Sequence, residues 1–214
     1  RAEPETAILG FAGAPLTLLG YAVEGKMTKN LDHLKRLLLE KPLLAHTMLG
    51  RLVETVSSYL ISQVQDGGAD AVQLFESLAY AFSPWDLEEF ALPYEKAVIE
   101  RFRAACPGVP VINFSRGGAD VLAYQWASGA DVLSVEWTLR LSEARSRVPE
   151  HQALQGNLDP MVLLVPERVE DQTLRMLEGF DYKRGFIANL GHGITPEAQV
   201  SAARKFVEVI KGLG

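Results

Sequence analysis

The residues best equipped for chemistry in this 214-residue chain stand directly behind short apolar runs. His192 lies between two glycines in NLGHGITP. Ser77 follows Glu76 in LFES, Arg116 precedes Gly117 and Gly118 in SRGG, Glu136 leads into Trp137-Thr138, and Asn157 and Asp159 sit in GNLDP. Tyr21, in GYAVEG, trails the first run. These are hydrogen-bonding and charged groups around one imidazole, suited to holding polar or anionic parts of a ligand. The glycines beside His192 free the backbone and leave the ring unshielded, whereas a core histidine is wrapped by apolar neighbours. His192 therefore reads as functional, and Gly117-Gly118 resembles a backbone nest able to cradle a carboxylate or phosphate.

Each of the others has a purely structural alternative. Gly13-Ala14-Pro15 fits a tight turn, and Glu76 and Ser77 either cap the next helix or face a ligand. Arg116 is either a solvated loop charge or a ligand contact. Asn157 and Asp159-Pro160 have ideal turn and helix-start chemistry, and Tyr21 suits a buried core as well as a binding surface. His33, His46 and His151 fall in charge-rich stretches and read as surface residues.

The elements that must position these groups follow one rhythm. Apolar runs at 7–12, 70–75, 109–114, 131–137, 153–158 and 185–190 are continuous rather than alternating, as in parallel strands buried on both faces, and helical periodicity fills the gaps. A helix is expected from Pro42 to Gln65, stopped by Gly67-Gly68. Another should be capped by Ser83 with Pro84 at its first position and kinked by Pro93, and a last one should open at Thr195-Pro196-Glu197. Six strand–helix units make either an open doubly wound sheet or a (β/α)8 barrel. No G-x-G-x-x-G or P-loop pattern supports nucleotide binding. In a barrel, the residues directly behind the strands, from Gly13-Ala14-Pro15 to His192, would converge on the mouth at the strands' carboxyl ends.

A net charge of -6 argues against nucleic acid or an anionic membrane surface as the main partner. The single cysteine, Cys106, rules out an intrachain disulfide and a zinc site built on several thiolates, and fits a reducing, cytoplasmic setting. No apolar stretch approaches the roughly 18 residues of a membrane helix. Composition favours a single domain over residues 1–214.

In this order, GFAGAPLTLLGYAVEG, LFESLAYAFSP with FALPY, INFSRGG, EWT, LQGNLDP and NLGHGITPE resemble the uroporphyrinogen decarboxylase family along nearly the whole chain. The resemblance implies a (β/α)8 TIM barrel acting as a homodimer. It further implies conversion of the four acetates of uroporphyrinogen III to methyl groups, giving coproporphyrinogen III, with no metal and no cofactor. Carried over position by position, it makes Tyr21, Ser77 and His192 substrate-binding residues, with Gly117, Gly118, Asn157 and Asp159 shaping the cleft. It also implies that a pyrrole carbon is protonated first, so that the cationic ring accepts the electrons of the breaking bond. His192, protonated or hydrogen-bonding, would then orient acid side chains together with the Tyr21 and Ser77 hydroxyls.

The match has gaps. The family's arginine-bearing R-Q-A-G-R type motif and its central aspartate have no counterpart here, and Glu136 stands where the family usually carries aspartate. The expectation is a barrel lacking its first two units, with Arg1 just before the third strand, and little or no activity in the isolated chain. Two other readings stay open: an inert porphyrinogen-binding or assembly fragment, and a related zinc- and cobamide-dependent methyltransferase, for which a cysteine-rich metal set is wanting.

Overall fold

The computed structural model describes residues 6–25 and 30–213; Arg1, with the expectation attached to it, lies outside them. Six parallel strands, β1 (Leu9–Gly13), β2 (Ala71–Glu76), β3 (Val111–Ser115), β4 (Val132–Ser134), β5 (Ala153–Leu158) and β6 (Phe186–Leu190), pair strictly in chain order. All six lie within or next to the apolar runs. The pairing is in register, Phe11 opposite Gln73, Phe75 opposite Phe114 and Gln155 opposite Ile187.

Alternation sorts each strand into two faces. Val72, Leu74, Leu133 and Leu154 turn outward and are fully buried beneath the helices. The concave face is partly polar, because the Gln155 amide donates to Gln73 Oε1 (3.2 Å) and to Ser134 Oγ (3.0 Å). At the two edges, Phe11 on β1 and Ile187 on β6 are exposed. The side chain of Gln63 occupies the outer backbone of β1, accepting from Phe11 N (2.6 Å) and donating to Phe11 O (2.9 Å).

The helix covering β1 is α3 (Pro42–Gln65), with the bounds expected from its apolar stripe. Between β1 and α3 the chain inserts α1 (Pro15–Glu24) and α2 (Asp32–Glu40). Between β2 and its covering helix α5 (Leu92–Ala105) it inserts a 3-10 turn and α4 (Pro84–Phe90). These insertions leave the carboxyl ends of the strands and build a second core of Leu16, Leu19, Leu34, Leu78, Leu87 and Phe90, distinct from the core under the sheet. The remaining helices are α6 (Ala119–Ala127), α7 (Leu141–Arg147), α8 (Val169–Met176) and α9 (Val200–Gly212).

Ser83 forms the full reciprocal capping box with Asp86, as its position ahead of Pro84 suggests. Two helix boundaries differ from expectation. Pro93 does not kink a continuous helix; the chain breaks at Ala91, because a proline ring crowds the preceding turn and leaves its carbonyl without a donor. Thr195 does not open the last helix, which starts at Val200. Pro196 and Glu197 form a turn, and Gln199 N–H goes to Leu163 O (3.3 Å), which keeps it off the helical ladder.

Candidate active site

Ser77 and His192, carried on the loops after β2 and β6, line one cavity of about 430 Å³ at the carboxyl ends of the strands, with Phe75, Phe114 and Ile194. Gln73 and Ser134 reach it from the concave face of the sheet. The imidazole stands edge-on to Phe114 and to Trp137, with 5.8 Å between centroids in each case. Burial and the nearby Arg116 cation hold its pKa below the usual histidine value, and Glu136 opposes them only in part. His192 is thus neutral at neutral pH, with one nitrogen donating and one accepting, which favours the hydrogen-bonding form over the protonated one.

Arg116 is not a solvated loop charge. Its Nε lies 3.6 Å from Glu136 Oε1 and its guanidinium stacks over Tyr80 at 4.6 Å. Glu136 is buried and accepts from Thr138 Oγ1 at 3.0 Å, so the pair is fixed from both sides. A cation is therefore held close enough to the imidazole to act on its charge. The sequence signal for it was SRGG followed by EWT, two motifs from neighbouring strands.

The other expected site residues lie elsewhere. Tyr21 sits on α1 with its side chain exposed and does not line the Ser77–His192 cavity. Gly117, at φ 144°, and Gly118 turn β3 into α6; a Cβ at Gly117 would come within 2.8 Å of Val121. Asn157 is not a turn residue: it lies buried in β5, and its amide donates to Glu136 O (2.9 Å) and Leu139 O (2.5 Å), tying down the loop that carries Glu136 and Trp137. Asp159 keeps its structural role, accepting from Met161 N (2.9 Å) at the head of a 3-10 turn. Both line a separate cavity of about 420 Å³ with Trp137, Arg140 and Arg175.

Glu76 neither caps α4 nor faces the cavity. It points outward, fully buried, and accepts from Thr17 Oγ1 (2.6 Å), Thr17 N (3.3 Å) and Leu78 N (3.1 Å). Burial raises its pKa to about 7 despite those donors. Glu95, on α5, is likewise fully buried, accepting from Asn113 Nδ2 (2.7 Å) and from the Tyr124 hydroxyl; burial and the neighbouring Glu76 raise it to about 8. Nothing in the spacing of the sequence marks Glu95. His46 is also not a plain surface residue, since it stacks on Phe90 at 4.9 Å and its Nδ1 meets Tyr94 Oη at 2.6 Å. Among the described residues, no three His, Cys, Asp or Glu side chains gather to hold a metal ion, and no helix is long and apolar enough to cross a membrane.

An unbroken parallel sheet with helices between its strands, and polar groups gathered at the strands' carboxyl ends, is the active-site face of the (β/α)8 barrel class. The family model described as uroporphyrinogen decarboxylase (URO-D) matches residues 1–213, and the chain belongs to that family. It is 39% identical over 208 residues to the uroporphyrinogen decarboxylase of Chlorobium limicola, covering 95% of this chain and 59% of that protein. The enzyme of the same name from Synechococcus sp. (strain JA-3-3Ab) is 41% identical over 219 residues (99% and 60%), and that from Myxococcus xanthus 42% over 203 (95% and 58%). The chain thus spans about three fifths of the length of these relatives. Among solved structures, a methyltransferase from Methanosarcina mazei superposes with a TM-score of 0.80 at 17% identity, over 99% of this chain and 60% of that one, a likeness of fold alone.

Proposed function

We propose that these residues form the substrate-holding part of a uroporphyrinogen decarboxylase, which converts the acetates of uroporphyrinogen III to methyl groups without a metal or organic cofactor. The observation that carries this reading is the convergence of Ser77 and His192 on one cavity, beside the Arg116–Glu136 pair. The substrate carries several carboxylates, and the cleft offers a hydroxyl donor, a neutral imidazole and a cation to receive them. Decarboxylation needs an electron sink: a proton added to a pyrrole carbon makes the ring cationic, the electrons of the C–C bond move into it as carbon dioxide leaves, and a proton then completes the methyl group while the ring proton is lost. Net, one proton replaces one carbon dioxide. Ser77, His192 and Arg116 orient carboxylates in this scheme; none of them acts as a nucleophile.

The same reading covers a single barrel domain, a homodimer and a cytoplasmic setting for the enzyme, with Tyr21 as a further substrate contact and Gly117, Gly118, Asn157 and Asp159 shaping the cleft. It also holds that these 214 residues alone have little or no turnover, consistent with the exposed concave residues Phe11 and Ile187 at the sheet edges. The test is a chimera in which this chain replaces the matching stretch of the Chlorobium limicola enzyme. The chimera should convert uroporphyrinogen III to coproporphyrinogen III, the isolated chain should not, and His192→Ala in the chimera should cut the rate. A folded chimera without turnover would overturn the reading, as would turnover indifferent to His192.

A further inference from the structure

We propose that Thr17, oriented by the buried carboxylate of Glu76, is a positioning residue that sets Ser77 in the cleft and locks α1 to the loop after β2. The proposal rests on the reading of Ser77 as a substrate contact. The observations are hydrogen bonds that run in one direction. Glu76 Oε1 accepts from Thr17 Oγ1 at 2.6 Å, and Thr17 Oγ1 in turn accepts from Ser77 N at 2.9 Å. A hydroxyl has one proton to give; once it goes to Glu76, the oxygen presents only lone pairs to the Ser77 amide. Glu76 therefore decides which way the hydroxyl points.

The same carboxylate also accepts from Leu78 N (3.1 Å) and from Thr17 N (3.3 Å). Both residues flanking Glu76 on its carboxyl side are thus held, Ser77 through Thr17 and Leu78 directly. The cluster is dry, with Thr17 at 2% and Glu76 at 0% exposure, so water cannot substitute for a lost partner. Steric contact reinforces it: a Cβ at Gly20 would come within 2.5 Å of Leu78 Cδ1, so α1 is already pressed against the Ser77–Leu78 loop. Glu76 lies on the outer face of the sheet and does not line the cavity. Its effect reaches the cleft only through Thr17 and the backbone of Ser77.

The test uses the 214-residue chain, with amide exchange by NMR as one measurement and binding of coproporphyrin III, followed by its fluorescence, as the other. Thr17→Val keeps the shape and removes the hydroxyl; it should speed exchange of the Ser77 amide and weaken binding about 3- to 10-fold, the loss of one net hydrogen bond. Thr17→Ser restores the hydroxyl and should return both to parental values, which a purely structural loss of the threonine methyl would not allow. Glu76→Leu, which removes both acceptor oxygens at similar volume, should behave like Thr17→Val, and serves in its place if the valine variant does not fold. Ser77→Ala separates the two ideas. If it leaves binding unchanged, the substrate reading of Ser77 falls, while faster Ser77 exchange in Thr17→Val still upholds the positioning. If Ser77→Ala weakens binding but Thr17→Val changes neither exchange nor affinity, the positioning is overturned.

Discussion

Trp137 stands edge-on to His192, with ring centroids 5.8 Å apart and planes at 89°, so the loop after β4 packs directly against the loop after β6. Gly191 makes this approach possible. A Cβ there would lie 2.4 Å from Trp137 N and 2.8 Å from Trp137 Cβ, against backbone that has no room to give. Gly191→Ala is expected to destabilise the fold by about 1–3 kcal/mol, the usual cost of overpacking. A shift in the denaturation midpoint would show it, together with a change in the ring-current shifts of the His192 imidazole protons; an unchanged midpoint would refute it.

Burial lowers the His192 pKa most, and Arg116 and Glu136 adjust it in opposite directions. Arg116→Ala should raise the imidazole pKa, because the cation that repels the proton is gone and Glu136 is left unopposed. Glu136→Gln should lower it further. An NMR titration of the imidazole protons in the two variants checks both directions, and movement of the same sign in both would contradict the assignment.

The buried carboxylates give stability a pH dependence. Both folded-state values, about 7 for Glu76 and about 8 for Glu95, lie above the ordinary 4.5. Between the ordinary value and the raised ones, the folded chain holds protons that the unfolded chain has released. The stability this confers is complete at low pH and is lost as pH rises through 7 and 8. His192, with its lowered value, acts oppositely below the ordinary 6.5, so one imidazole offsets part of the decline there and none of it above. Tm should therefore fall from pH 6 to pH 9, and Glu95→Gln should flatten the decline. A profile as steep in the variant as in the parent would rule the pair out.

Legibility from sequence followed the reach of each interaction. The strands and α3 were readable because burial writes itself into runs and stripes, and Ser83 because a cap needs only its neighbours at Pro84 and Asp86. The shared cavity of Ser77 and His192 was legible from their common place behind strands, whereas the glycines beside His192 take no positive φ and its ring packs against Phe114 and Trp137. What escaped depends on partners far apart in the chain. Glu76 meets Thr17, 59 residues earlier, and Gln155 meets Gln73, 82 residues earlier, inside runs that read as simply apolar. Asn157 looked like turn chemistry because its sequence neighbours are turn formers; its true partners, the carbonyls of Glu136 and Leu139, belong to the adjacent unit.

Gln63 bears on the edge of the sheet. In the 214-residue chain by itself, Gln63 fills both hydrogen-bonding groups of Phe11 and so keeps that stretch of β1 from pairing with a second copy. Gln63→Ala is expected to increase self-association of the chain, measurable by sedimentation velocity at several concentrations. A monomer fraction equal to that of the parent would show that the side chain does not protect the edge.

The strictly sequential order of the sheet carries a consequence for how the chain acquires its structure. From β2 to β6 each described strand pairs with the strand just before it, so none of these five pairings waits for a segment made much later. A ribosome releasing the chain from its amino end hands over each unit with its template already in place, and the growing edge is always the newest strand. Assembly can advance like a zip, with β6 and the His192 loop seated last.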